Sequence, residues 1–201
     1  LDQAGLLTAT TFAGSGASLT ALPAANLTGS LPAISGASLT GLTVGLAEVD
    51  MWRLHTNTSI AADTWVELSS NLERCDTDGF DKIGTGMSES SGVFSFPSTG
   101  IWKIDACVRG HAADNAVRYY YVGLRSTTDD GTWDSSAAGV TTLISSGNSY
   151  ANAHTTFIFD VTSTSTHKIK FRVISVASGS TVKGSTDENH TYFTFLKLGE
   201  T

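Results

Sequence analysis

From Ile101 to Arg109 apolar and polar residues alternate: Trp102, Ile104, Ala106 and Val108 fall on one side, Lys103, Asp105, Cys107 and Arg109 on the other. A period of two marks a strand with one buried face. Residues 168–173 repeat the pattern, with Ile169, Phe171 and Val173 inward and Lys168, Lys170 and Arg172 outward. Ten such runs follow Glu48, at 51–56, 64–68, 80–83, 92–96, 100–110, 116–125, 138–144, 153–161, 167–175 and 190–198, set apart by Gly, Ser, Asn and Asp clusters. No helical period competes with them. The prediction is an all-β sandwich or barrel.

Two runs read as apolar on both faces: Tyr119, Tyr120, Tyr121, Val122 and Leu124, and then Tyr192, Phe193, Phe195, Leu196 and Leu198. In a two-sheet sandwich one face of such a strand meets the other sheet, and the second needs another subunit to cover it. Tyr119, Tyr121, Tyr192, Phe193 and Phe195 are therefore expected at an interface between copies of the chain.

Before residue 47 the pattern is different. Leu6, Leu7, Phe12, Leu19, Leu22, Leu27, Leu31, Ile34, Leu39, Leu42, Val44 and Leu46 follow neither a helical nor a strand period, and repeated Gly and Pro would break either element. Gly16-Ala17-Ser18-Leu19-Thr20 recurs word for word at Gly36-Ala37-Ser38-Leu39-Thr40. Short recurring units joined by small residues suit a fibrous array in which each unit leans on other strands. A flexible Gly/Ser/Ala linker would explain the composition but not the exact repeat. The expectation is an extended, intertwined β-repeat shaft over 1–46, trimerising through Leu19, Leu22, Leu27, Leu31, Leu39 and Leu42, ahead of a head over 47–201.

Charge sharpens this division. The chain has 201 residues, 40% of them hydrophobic and 15% charged, with a net charge of −7. No charged residue lies between Asp2 and Glu48. An acidic surface argues against nucleic-acid binding, whose affinity comes from Lys and Arg on phosphates. Ser, Thr, Gly, Asn and Pro interrupt every apolar window, so no stretch of about eighteen apolar residues is available to insert in a membrane. A start at Leu1, without Met or a basic leader, reads as a fragment of something longer, whose preceding part would join other proteins of the assembly.

Candidate chemistry is sparse. Cys75 and Cys107 allow one bridge at most, and two free thiols are the expected state. Asp76, Asp78 and Asp81 in a Gly-containing turn could supply oxygen ligands to Ca²⁺, although the EF-hand spacing is absent and an ordinary solvated turn also accounts for them. His55, His111, His154, His167 and His190 are scattered without zinc-site spacing. There is no Gly-x-Ser-x-Gly elbow and no phosphate-cradling loop, so the chain is not expected to be an enzyme or to need a cofactor other than that Ca²⁺.

Gly92-Val93-Phe94-Ser95-Phe96-Pro97-Ser98-Thr99-Gly100-Ile101-Trp102 resembles the strand-turn-strand hallmark of C1q/TNF-like jelly rolls, and Thr191–Leu198 resembles their last strand. The likeness covers about residues 50–201. Residues 26–42 are similar to the repeats of bacteriophage tail-fibre shafts. Together the two resemblances imply a homotrimeric viral fibre tip on the surface of a virion, adhering to a host receptor, glycan before protein. A purely structural cap or decoration protein and a polysaccharide-degrading tailspike are the alternatives. Strand directions propagated through such a jelly roll place loops 56–63, 110–116, 145–152 and 176–190 at the distal tip. Those loops hold Asn57, His111, Asp114, Asn115, Asn148, Tyr150, Asn152, Asp187, Asn189 and His190, groups that pair with hydroxyls and stack on sugar faces. The 129–133 loop with Trp133 falls on the shaft side.

Overall fold

The computed structural model describes residues 45–77, 79, 81–113, 117–144, 147–177 and 179–201. The chain divides into two units, Leu1–Leu42 and Thr43–Thr201, and the described residues all belong to the second. Residues 1–44 of the expected shaft, with its six leucines, therefore lie outside the described residues.

In chain order the described strands are β1 (Val49–Leu54), β2 (Thr58–Ser59), β3 (Val66–Glu67), β4 (Leu72–Arg74), β5 (Ser88–Ser90), β6 (Val93–Ser95), β7 (Gly100–Ala113), β8 (Val117–Thr127), β9 (Asp134–Leu143), β10 (Asn148–Val161), β11 (Lys168–Ser175), β12 (Thr181–Val182) and β13 (Tyr192–Gly199). They form two antiparallel sheets. In the first, β7 is central: β10 pairs it along its whole length, from Asn148 opposite Ala113 to Val161 opposite Gly100. On its other side lie β13 and, beyond the start of β13, β12; β1 and β4 continue outward from β13, and β2 from β12. The second sheet runs β5-β6-β11-β8-β9, with β3 added to β11 beyond β6.

The alternation seen in the sequence closes the core. Trp102, Ile104, Ala106 and Val108 of β7 are buried, and so are Ile169, Phe171 and Val173 of β11. Phe171 stacks on Phe193 at 3.9 Å between ring centres, and Phe94 lies 5.1 Å from Phe195. Each fully buried side chain of this size contributes about 1.5–3 kcal/mol. At the flank, β9 passes so close to β10 that a Cβ on Gly139 would overlap the His154 carbonyl. A second buried device secures the start of β1. The Asp50 carboxylate accepts from the backbone N–H of Met51 (2.9 Å) and Met87 (2.7 Å), from Trp52 Nε1 (3.0 Å) and from Arg74 Nε (3.0 Å). A buried charge is tolerable only with such a full set of partners.

The structure corrects several expectations. Phe193 and Phe195 face the core at 0% exposure, so they hold the two sheets of one chain together and are not interface residues. The outward positions of β13 are Tyr192, Thr194 and Leu196. Residues 80–83 form no strand: Ile83 only bridges Val49, and Phe80 lies outside the described residues. Residues 148–152 are strand rather than loop, because β7 runs on to Ala113 and gives them a partner. Four short strands, β2, β4, β5 and β12, had not been expected. Cys75 and Cys107 are buried and unbridged, as expected.

Candidate functional site

Strand registers fix two ends of the sandwich. The chain enters β1 at Val49, opposite Leu196, and the last residues of β13 lie beside Gly100 and Ile101 at the same end. The 128–133 loop also lies there, since Asp130 N–H donates to Thr166 O (3.2 Å) and its carboxylate pairs with Lys168 Nζ (2.6 Å). Trp133 is thus on the entry side, with the Lys170 ammonium 4.5 Å from its ring centre.

At the opposite end the outgoing β7 and the incoming β10 and β12 bring polar groups together. His111 Nε2 lies 3.1 Å from Asn148 Oδ1 and His111 Nδ1 lies 3.2 Å from Thr181 Oγ1. Both ring nitrogens of His111 are therefore within hydrogen-bond reach of a polar side chain, which fixes the ring in place. The Tyr150 ring packs 4.7 Å from the imidazole and is 56% exposed. A ring fixed in place by a neighbour but open on one face can stack on an apolar ring face of a ligand. Alongside, Asn57 Oδ1 accepts the Gly184 N–H (3.0 Å) and ties two tip loops together.

Of the other tip residues, Asp187 is exposed and His190 Nε2 lies 2.8 Å from Glu188 Oε2. Asn152 sits one step down β10, its Oδ1 accepting from Arg109 Nε at 3.4 Å. Asn189 is turned away from the tip: its Nδ2 donates to Met51 Sδ (3.3 Å) and its Oδ1 accepts from the Cys75 thiol (3.3 Å). It is a structural residue and not a tip group. Asp114 and Asn115 lie outside the described residues. The sequence reading missed Thr181, which sits among Ser and Thr without any local signal.

On the outward face of the first sheet a shallow cavity of about 380 Å³ is lined by Lys103, Asp105, Cys107, His154 and Tyr192 among others. Cys107 Sγ lies 3.7 Å from His154 Nε2. Burial pushes the Cys107 thiol above its usual pKa, opposite to the shift that a thiolate nucleophile needs. Of the three candidate Ca²⁺ ligands, Asp78 lies outside the described residues, and Asp81 accepts the backbone N–H of Lys82 at 2.7 Å. No group of three His, Cys, Asp or Glu side chains suited to a metal occurs among the described residues.

No family model and no curated protein sequence matches the chain. Solved structures do. Murine APRIL at pH 5.0 is similar with a TM-score of 0.55 and 14% identity, over 75% of this chain and 98% of that one. Eiger TNF from S. frugiperda is similar with a TM-score of 0.55 and 8% identity, over 76% of this chain and 93% of that one. The fold is a TNF-like jelly roll. At these identities the likeness concerns the fold alone. Within the TNF-like jelly roll, Tyr119 and Tyr121 project from the second sheet and Tyr192 from the first, so the proposed interface residues divide between two opposite faces.

Proposed function

We propose that the chain is the homotrimeric adhesion head of a viral surface fibre. Three TNF-like jelly rolls pack through the outward faces of their first sheets, and their tip loops meet a host surface receptor, glycan before protein. The observation that carries this reading is the outward face itself. Met51 on β1, Ile101 on β7, Leu196 and Tyr192 on β13 and Ile158 on β10 form an apolar set across neighbouring strands. Two pairs of the charges among them meet within one chain, Lys103 with Asp105 at 2.6 Å and Arg53 with Glu73 at 2.6 Å, whereas Asp160, opposite Ile101, and Arg109 stand outside these pairs. Paired charges cost less to take out of water than free ones, which favours a protein partner on this face.

The viral assignment is supported by the uncharged repeat that leads into β1. A trimer also makes sense of weak tip sites, because three sites on one axis bind with an avidity that none has alone. Sedimentation of the full chain at micromolar concentration tests the assembly: three chains per particle are expected, and a stable monomer would remove its basis. Binding to host cells tests the adhesion, with His111→Ala and Tyr150→Ala expected to weaken it. Unchanged binding by both variants would take the receptor site away from the tip.

A further inference from the structure

The outward face of the second sheet carries a row of aromatic rings flanked by arginines. Trp65, just before β3, lies across β8 at Gly123, where a Cβ would stand 3.0 Å from the indole Cζ3. Glycine leaves bare backbone for the indole to cover, and the ring remains 37% exposed. The Arg172 guanidinium lies 4.1 Å from the Trp65 ring centre. Tyr121 follows at 6.4 Å from Trp65, Tyr119 at 5.4 Å from Tyr121, and Arg118 at 5.5 Å from Tyr119. Beside the Arg172 end is a shallow cavity of about 380 Å³ lined by Trp65, Gly123, Arg172 and the 135–138 stretch of β9.

Arg172 differs from the other cations of its strand. Lys168 pairs with Asp130 (2.6 Å) and Lys170 with Glu67 (3.5 Å), whereas Arg172 pairs with no carboxylate among the described residues. Its Nη2 donates to Ser135 Oγ (2.7 Å), and its Nε–H is buried without an acceptor among the described residues. Burial first, and then the nearby Arg125 charge, hold the guanidinium below its usual pKa against the opposing pull of the Glu67 carboxylate across from it on β3. A carboxylate arriving from the cavity side would give the guanidinium a charged partner, and guanidinium binds carboxylate through paired N–H donors.

We propose that this face is a lateral site for an acidic saccharide, with Arg172 and Ser135 holding a sugar carboxylate and Trp65, Tyr121 and Tyr119 stacking on pyranose faces. The rings are partly exposed and inclined to one another, Trp65 to Tyr121 by 57° and Tyr121 to Tyr119 by 64°, so each would meet a different sugar C–H face. Asp63, which accepts from the Tyr119 hydroxyl at 3.2 Å, offers an acceptor for sugar hydroxyls farther along the row. A nucleic acid suits the face less well: its charge is dense, and the chain carries a net −7 with Asp63 and Glu67 close by. A single carboxylate per sugar senses mainly Arg172, since charges beyond about 8 Å are screened at physiological salt. The site is separate from the tip loops and does not depend on them.

Titration of the full chain with oligogalacturonate and with oligosialate, followed by tryptophan fluorescence and affinity electrophoresis, tests this. At least one of the two is expected to bind, and its methyl ester to bind roughly tenfold more weakly, the loss of one charge-assisted contact. Arg172→Gln should reduce binding of the acid by a similar factor and leave the ester unaffected. Trp65→Ala should abolish both, and Arg118→Gln, at an exposed position, gives a milder loss in a chain that folds normally. The proposal is overturned if neither acid binds, if acid and ester bind alike, if Arg172→Gln binds the acid as well as the wild type, or if oligothymidylate binds more tightly. Tip variants His111→Ala and Tyr150→Ala should leave this binding intact, so loss of cell adhesion in them alone would bear only on the tip.

Discussion

On the first sheet the outward positions of β7 and β13 run Ile101, Lys103, Asp105, Cys107, Arg109 and Tyr192, Thr194, Leu196; on the second, those of β11 and β8 run Lys168, Lys170, Arg172 and Tyr119, Tyr121, Arg125. Both sheets turn the same kind of alternation inward, so the inward half of each pattern builds a shared core and sets the fold. The outward halves are free to differ, and they do. One mixes apolar side chains with the Lys103–Asp105 and Arg53–Glu73 pairs, and suits a protein surface. The other lines up cations and aromatic rings, with Arg172 unpaired among the described residues, and suits an anionic ligand.

The largest expected effect falls on what the faces share. Phe171 of the second sheet stacks on Phe193 of the first, and Phe171→Ala should cost about 3–5 kcal/mol in denaturant unfolding. A loss confined to one sheet in hydrogen exchange would mean that the two sheets are not one cooperative unit. The outward faces should then separate. Leu196→Asp puts an unpaired charge where another chain is expected and should cost on the order of 2 kcal/mol per chain in the assembled state. Lys170→Gln on the opposite face should stay within about 0.5 kcal/mol. Equal effects of the two would erase the distinction between the faces.

Smaller effects come from pH, and they strike the sheets at opposite ends of the scale. Cys75 follows β4 of the first sheet, and burial pushes its thiol from 9.0 up to about 11. Stability from the protonated thiol is full below pH 9 and declines as pH rises from there through about 11, because the unfolded chain ionises first. Denaturation midpoints at pH 8 and pH 11 should show this decline, and Cys75→Ala should flatten it. In the β8–β9 turn of the second sheet, the backbone N–H groups of Gly131 and Thr132, with the Thr127 hydroxyl, hold Asp129 well below the ordinary carboxylate range. Its contribution is present above the ordinary value near 3.8 and is lost as pH falls further. A carboxyl NMR titration of Asp129 with a midpoint at or above 3.8 would contradict that turn.

What could be read from the sequence depended on length. The 100–110 and 167–175 runs were long enough for a period of two to show, and they became β7 and β11 nearly in register. Strands of two or three residues, such as β2, β4 and β12, hold too few positions for any period. The start of β10, Asn148-Ser149-Tyr150-Ala151-Asn152, has loop composition and is strand only because β7 pairs with it. In the last strand, adjacent Tyr192 and Phe193 suggested two apolar faces, whereas the structure gives one to the core and mixes polar Thr194 into the other. Strand direction was enough to put Asn57, His111, Asn148 and Tyr150 at one end and Trp133 at the other. The meeting of Trp65, Gly123 and Arg172 was not legible, because it depends on three strands crossing one sheet.

Hydroxyl-radical footprinting of the assembled full chain compares the two faces in a single sample. Tyr192, Ile158 and Leu196 should be protected relative to a chain dissociated in mild denaturant below its unfolding midpoint, while Trp65 and Tyr121 are oxidised equally in both. Protection of Trp65 and Tyr121, with Tyr192 and Ile158 left open, would contradict the account by placing the subunit contact on the second sheet.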